Sequence, residues 1–396
     1  MYIKRIIEKQ ILDAATEYAA LAILGPRQSG KTTTARALFP NHLYLSLENP
    51  DTRERAQQDP RSFLQEHTKY AGLILDEFQH VPHLLSYLQT IIDTGVKPGT
   101  FILTGSQNFL LNANISQSLA GRIAILTLLP LSIAELQETN QLTSQIEDAL
   151  FTGCYPTLYN QKSNVSRHYQ GYITTYIERD VRQLKNITDL DTFQRFIGLC
   201  AGRIGQEVNY TSLSNDCGID VKTVKSWLAI LQASYIIFLL QPYYNNFGKR
   251  LIKSPKLYFI DTGLACTLLR IKSADELITH PARGGLFESY IIADLLKQQY
   301  NQELLPSLYF WRDVAGNEVD CIIDEGQSIY MLEMKSGRTI SSSFFKNFDY
   351  IASLQTKPTT NFVVYAGDDK QNWSKGTVLG WQNIGMLIES TITKQG

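Results

Sequence analysis

The nine residues GPRQSGKTT at positions 25–33 constrain this chain more than any other stretch. They satisfy G-x-x-x-x-G-K-[ST], in which glycine-rich backbone N–H groups cradle phosphates and the lysine reaches the terminal ones. The apolar run 19–24 (AALAIL) has the length of a buried strand, and TTTARAL at 32–38 can open a helix. The loop therefore delivers an anion to a helix N-terminus, where orphan N–H groups and the helix dipole both favour negative charge. A second apolar strand, LILDEF at 73–78, ends in two acids, Asp76 and Glu77. Together the two stretches imply nucleoside triphosphate chemistry; either alone would be weaker.

The roles follow from chemistry. Lys31 is assigned to the β- and γ-phosphates of ATP and Thr32 to Mg2+, with Gly25, Pro26, Arg27, Gln28, Ser29, Gly30 and Thr33 lining the phosphates. Asp76 is expected to hold the metal, mostly through water, because Mg2+ keeps much of its hydration shell. Glu77 is expected to orient or deprotonate the attacking water.

At 396 residues the chain is too long for one core, so two or three domains are expected. Hydrophobic residues at 44% and charged residues at 19% are ordinary for a soluble protein. The N-terminal segment has no signal-peptide pattern, and the longest strongly apolar run, near 233–240, is far too short for a bilayer. A cytoplasmic protein with no membrane partner is expected. The cysteines (Cys154, Cys200, Cys217, Cys266, Cys321) lie far apart, which reads as buried free thiols in a reducing compartment. A net charge of −1 argues against nucleic-acid binding by bulk electrostatics, though not against a local patch.

Strand-like runs at 19–24, 42–47, 72–76, 100–105 and 123–128 alternate with helical stretches, predicting a three-layer α/β domain with a mostly parallel sheet. Ligands sit beyond the carboxyl ends of such strands, so Ser106, Gln107 or Asn108, ending FILTGSQNF, could touch the γ-phosphate or the water. Arg122 in SLAGRI could stabilise charge on a neighbour's transferred phosphoryl group, or simply satisfy helix-terminal carbonyls.

GPRQSGKTT, LILDEFQHVP, FILTGSQNFLL, SLAGRI and LLPLSIAEL, in that order, resemble the AAA-type ATPases of bacteria and archaea that carry a long C-terminal domain once catalogued as of unknown function. YIERDV (176–181) and KLYFIDTGLACTLL (256–269) are similar to that family's signatures, so the resemblance covers nearly the whole chain. It implies a P-loop AAA+ core (1–135), a helical lid or connector (136–204), and homo-oligomerisation, up to a hexamer, with Arg122 as a finger acting in trans. Arg179, Asp180 and Arg182 either contact nucleotide or a neighbour, or pair on the surface.

YTSLSNDCGIDVKTVKSWLAILQASYIIFLL then reads as a winged helix-turn-helix (205–255): a short helix, a turn at Gly218, a cap at Asp220 and a second helix from Val221. Val224, Trp227, Leu228 and Leu231 form its buried stripe, which turns Lys222, Lys225 and Ser226 outward. The window 221–260 has no Asp or Glu but holds Lys222, Lys225, Lys249, Arg250, Lys253 and Lys256, a cationic set able to neutralise DNA phosphates or to face a protein partner.

In the last third (256–396), Glu288 lies on an amphipathic helix and Asp320 on the following strand. Glu333 and Lys335 sit two apart on a later strand and so share a face. This D-x12-E-x-K pattern resembles the restriction-endonuclease-like phosphodiesterase fold, with 361–367 as a closing strand. The resemblance makes Asp320, Glu333 and Glu288 metal ligands and Lys335 the catalytic lysine.

The expected fold is thus α/β: a P-loop AAA+ domain with helical lid, a winged helix-turn-helix and a restriction-endonuclease-like α/β domain. The preferred function is ATP-driven binding and remodelling of DNA, selective for structure, such as branched or junction DNA, rather than for sequence. The alternatives are an ATP-dependent DNA nuclease of defence or mobile-element biology, and a nucleotide-dependent signalling switch that binds a protein partner.

Overall fold

The computed structural model describes residues 2–106, 119–160, 163–181, 189–243, 254–313 and 315–387. Its first sheet holds β1 (Ala20–Leu24), β2 (Leu43–Ser46), β3 (Leu73–Asp76), β4 (Phe101–Gly105) and β5 (Ile123–Thr127) in the order β2-β3-β4-β1-β5, every pair parallel. These are the five strands expected from the apolar runs. β1, β3 and β4 are buried along their whole length because helices cover both faces, which is why they read as continuous apolar runs. One apolar core lies on each face of the sheet. Parallel pairing brings all five carboxyl ends to one edge, so the loop after β1, Asp76 at the end of β3 and the residues after β4 meet there.

The remainder shares one core across the expected boundaries. One apolar core runs from Leu129 through the connector helices and the helix-turn-helix to Leu387 near the C-terminal end. The helix Leu190–Ala201 shows why: its Phe193 and Phe196 pack edge-on against Trp227, with ring centroids 5.1 and 5.2 Å away. The stripe that defines the second helix of the helix-turn-helix is therefore buried on the connector. β6 (Ile237–Pro242) and β7 (Lys256–Phe259) pair antiparallel, and β6 also pairs with β8 (Leu308–Arg312). A boundary at 255/256 would divide a strand pair.

The helix-turn-helix itself follows its sequence cues. Helices Tyr210–Cys217 and Val221–Ala233 flank Gly218, whose φ of 69° is the left-handed conformation the turn requires, and Asp220 accepts from the Thr223 N–H as N-cap. The C-terminal part runs helix Arg283–Asn301, β8, β9 (Glu318–Asp324), β10 (Ile329–Lys335), helix Phe348–Ser353, β11 (Thr359–Tyr365), β12 (Lys370–Trp373) and β13 (Gly376–Gly380). β8, β9 and β10 form an antiparallel meander, and β11 returns parallel to β10. The whole sheet has the order β12-β13-β11-β10-β9-β8-β6-β7. All five cysteines are buried and free, as expected. Among the described residues no helix is long and apolar enough to cross a membrane.

The KLYFIDTGLA stretch is a junction. After β7, Asp261 caps helix Thr262–Leu268, accepting from the Leu264 N–H at 3.0 Å, the Tyr169 hydroxyl at 2.6 Å and the Cys154 N–H at 2.6 Å. Gly153 has φ of 70°, and a Cβ there would lie 2.1 Å from the Tyr169 hydroxyl. Asp261→Ala removes the cap and leaves the buried Cys154 N–H without an acceptor, while the Tyr169 hydroxyl keeps the Thr152 carbonyl at 2.9 Å, an expected loss of about 3 kcal/mol. Tyr169→Phe removes one of these bonds and should cost about 1.5 kcal/mol. Thermal unfolding of the two variants tests the ranking; equal losses would contradict the hub role of Asp261.

Candidate functional site

The phosphate loop is held from behind. A Cβ on Gly25 would lie 2.1 Å from the Leu128 carbonyl oxygen, so only glycine lets the loop leave β1 here. Gly30, with φ of 98°, turns the chain into helix Lys31–Leu38. Lys31 is buried, and its Nζ donates to the carbonyls of Gly25 at 3.0 Å and Pro26 at 2.8 Å. Burial pulls its pKa below the ordinary lysine value, against the nearby charges of Glu77 and Asp76. The fully buried Ser29 Oγ has no hydrogen-bond partner among the described residues.

Asp76 is gripped by hydroxyls. Its Oδ1 accepts from Thr32 Oγ1 at 2.7 Å and from Thr104 Oγ1, and its Oδ2 from the Tyr44 hydroxyl at 2.8 Å. Burial, then the bond to Asp76, pushes Tyr44 up to about 12, so it stays a donor. A threonine hydroxyl beside a carboxylate oxygen, with few other protein oxygens, fits Mg2+, which keeps several waters. Neither Thr104 nor Tyr44 carries a motif that would have exposed its role in the sequence.

Glu77 lies in the left-handed region, φ 53°. Its Oε2 accepts from Ser106 Oγ at 3.1 Å and from Gln79 Nε2, while Gln79 Nε2 lies 3.2 Å from Ser106 Oγ. Of the three polar residues expected after β4, Ser106 is thus on the glutamate; Gln107 and Asn108 lie outside the described residues. The Tyr176 hydroxyl is 3.4 Å from both the Ser106 and Ser234 carbonyls, and the Arg27 guanidinium lies over its ring at 5.7 Å. YIERDV therefore supplies a tyrosine to the nucleotide site, whereas the side chains of Arg179 and Asp180, and Arg182 altogether, lie outside the described residues.

Two arginines complete the picture. The buried Arg5, unmarked by any motif, donates to the Ser29 carbonyl at 2.8 Å, the Leu129 carbonyl at 2.7 Å and Glu135 at 2.9 Å. Arg122 immediately precedes β5, whose first residue pairs with Ala20 at the start of β1. The length of β1, roughly 16 Å at 3.3 Å per residue, separates it from the chain's own phosphate loop. There it forms a bidentate pair with Asp93, 2.6 Å from Nε and 3.2 Å from the second nitrogen.

The second cluster lies between helix Arg283–Asn301 and strands β7, β9 and β10. Asp320 Oδ2 accepts from the Met334 N–H at 2.7 Å, Lys335 Nζ donates to Glu333 at 2.5 Å, and the Tyr258 hydroxyl donates to Glu288 at 3.0 Å. Burial and then Asp320 raise Glu333 to about 8 and Glu288 to about 7, and burial raises Asp320. The four residues of the expected centre are thus neighbours, with Asp320 acting electrostatically on both Glu288 and Glu333, and among the described residues no group of three or more His, Cys, Asp or Glu side chains is arranged as a metal site.

A second correction concerns Lys256. Expected on the DNA-facing set, it is buried, paired with Glu318 and 4.0 Å from Glu288, because β7 points it into the sheet junction. Lys222 and Lys225 are exposed as expected, Lys225 over the Tyr210 ring at 5.2 Å. Lys249, Arg250 and Lys253 lie outside the described residues.

Comparison with known proteins divides the chain in three. Residues 17–137 match the AAA domain, 143–275 a domain of unknown function (DUF8612) and 283–384 a domain of unknown function (DUF4143). An uncharacterized protein of Mycobacterium tuberculosis is 31% identical over 350 residues, 87% of this chain and 76% of its own length. One from Methanocaldococcus jannaschii is 23% identical over 336 residues, 76% of this chain and 71% of its own length. Among solved structures, the Walker-type ATPase PABY2304 of Pyrococcus abyssi aligns with 68% of this chain and 96% of its own, at 16% identity and a TM-score of 0.46.

The raised carboxylates make stability depend on pH. With Glu288 near 7 and Glu333 near 8, the native state binds more protons than the unfolded chain above the ordinary glutamate range. Their contribution is therefore most favourable in acid and declines as pH rises towards 8. The melting temperature of wild type minus that of Glu333→Gln should fall between pH 5 and 8.5; a constant difference would contradict the raised value.

Proposed function

Because the chain belongs to the family of AAA-domain proteins that carry the C-terminal domain DUF4143, we propose that it hydrolyses ATP between subunits, with Mg2+, and uses the cycle to bind and remodel branched or junction DNA. The observation that carries this reading is the meeting of Lys31, Thr32, Asp76, Glu77 and Ser106 at the carboxyl edge of one parallel sheet. Lys31 leaves the loop carbonyls for the β- and γ-phosphates, which offer it a full charge where carbonyls offer a partial one. Mg2+ at Thr32 and Asp76 supplies neutralisation of phosphate charge. Glu77 orients or deprotonates the water, and its bond to Ser106 holds the carboxylate in position. Arg122 acts on the neighbour's nucleotide, since it lies at the far end of β5 from its own chain's loop, and this makes a homo-oligomer part of the proposal. Five separated, buried thiols support a cytoplasmic setting.

DNA engagement rests on the helix-turn-helix, whose second helix presents Lys222 and Lys225 outward. Tyr176 supports coupling: one hydroxyl stands between the carbonyl of Ser106, partner of Glu77, and that of Ser234, which ends the second helix. The same bridge would serve a signalling switch with a protein partner, which is the second reading.

Steady-state ATP hydrolysis at fixed salt, alone and with single-stranded, duplex, forked and four-way DNA, separates the two readings. Strong stimulation by a branched form is expected; indifference to every form would leave the switch. Lys31→Ala should abolish turnover, and Arg122→Ala should lower it about a thousandfold with ATP binding retained. Mixing the two inactive variants should restore part of the activity, because a finger from one serves the intact loop of the other. Unchanged turnover in Arg122→Ala would remove the finger.

A further inference from the structure

The C-terminal carboxylates already hold protein partners, and one partner lies outside the stretch that matches DUF4143. β7, which is paired with β6 of the helix-turn-helix hairpin, sends Lys256 and Tyr258 into the cluster. Lys256 is 4% exposed. Its ammonium pairs with Glu318, lies 4.0 Å from Glu288 and sits 5.5 Å over the Phe310 ring. Tyr258 occupies Glu288 Oε2, the Met334 N–H occupies Asp320 Oδ2, and Lys335 occupies Glu333 Oε1. One oxygen of each carboxylate is therefore already engaged by a donor of the chain.

We infer that Lys256 is the resident cation of this centre and closes it to a divalent metal. A metal placed among Glu288, Asp320 and Glu333 would be desolvated beside a buried ammonium, in surroundings where like charges repel far more strongly than in water. The D-x12-E-x-K pattern is then intact while its metal is excluded by a residue the pattern does not include. The cation is carried by β7, so the helix-turn-helix hairpin, and not the DUF4143 part alone, contributes to the state of this centre.

The test is Mn2+ binding to the nucleotide-free full chain, followed by the loss of the free-ion EPR signal, and is thus independent of the ATPase reading. Wild type and Asp320→Asn should titrate alike. Lys256→Met should gain one site at least tenfold tighter than any in wild type, and Lys256→Met with Asp320→Asn should lose it. Retained ATP binding and a cooperative melt check the fold of each variant. Failure of Lys256→Met to gain a site overturns the inference, as does an Asp320-dependent site already present in wild type. The wild-type and Asp320→Asn pair decides even where Lys256→Met does not fold.

Discussion

The buried pair of Arg5 and Glu135 ties the nucleotide site to everything after it. The guanidinium reaches the Ser29 carbonyl in the phosphate loop, the Leu129 carbonyl beyond β5 and both oxygens of Glu135. Glu135 in turn closes a capping box with Ser132 at the start of helix Ile133–Glu138 and accepts from the Ile6 N–H. Burying two charges is costly, and breaking such a pair by removing one partner costs about 3–5 kcal/mol because the other is stranded. Here almost every hydrogen-bonding position is used, which is the condition under which a buried pair persists.

The same short segment holds the C-terminal part. Asp294 on helix Arg283–Asn301 accepts from the Ile133 N–H at 2.7 Å, and Lys297 donates to the Leu131 carbonyl at 3.0 Å. That helix also carries Glu288, so residues 129–135 lie between the phosphate loop and the carboxylate centre. Tyr176 makes a second connection, from Ser106 to the end of the helix-turn-helix. Both connections are polar and directional, and they run alongside a continuous apolar core.

Legibility followed the range of the interactions. The phosphate loop, the acids ending β3, the five strands and the helix-turn-helix turn were all readable, because each depends on residues within a few positions of one another. Arg5, Tyr44, Thr104 and Gln79 were not, since an arginine or hydroxyl in an unremarkable segment gives no periodic or motif signal. Lys256 was misread for a related reason. Its neighbours in sequence are basic and aromatic, but its neighbours in space are Glu288 and Glu318, contributed by residues 32 and 62 positions away.

By itself the sequence determined the chemistry of the loop and the alternation of elements, because backbone geometry and burial period act locally. Only the tertiary structure decided that the connector, the helix-turn-helix and the C-terminal strands share one core. It also decided that Ser106 answers Glu77, and that Lys256 is buried beside Glu318 and Glu288 at the edge of the D-x12-E-x-K cluster. These outcomes depend on which remote side chains arrive at a desolvated charge first, and that is set by how β6 and β7 join the sheet.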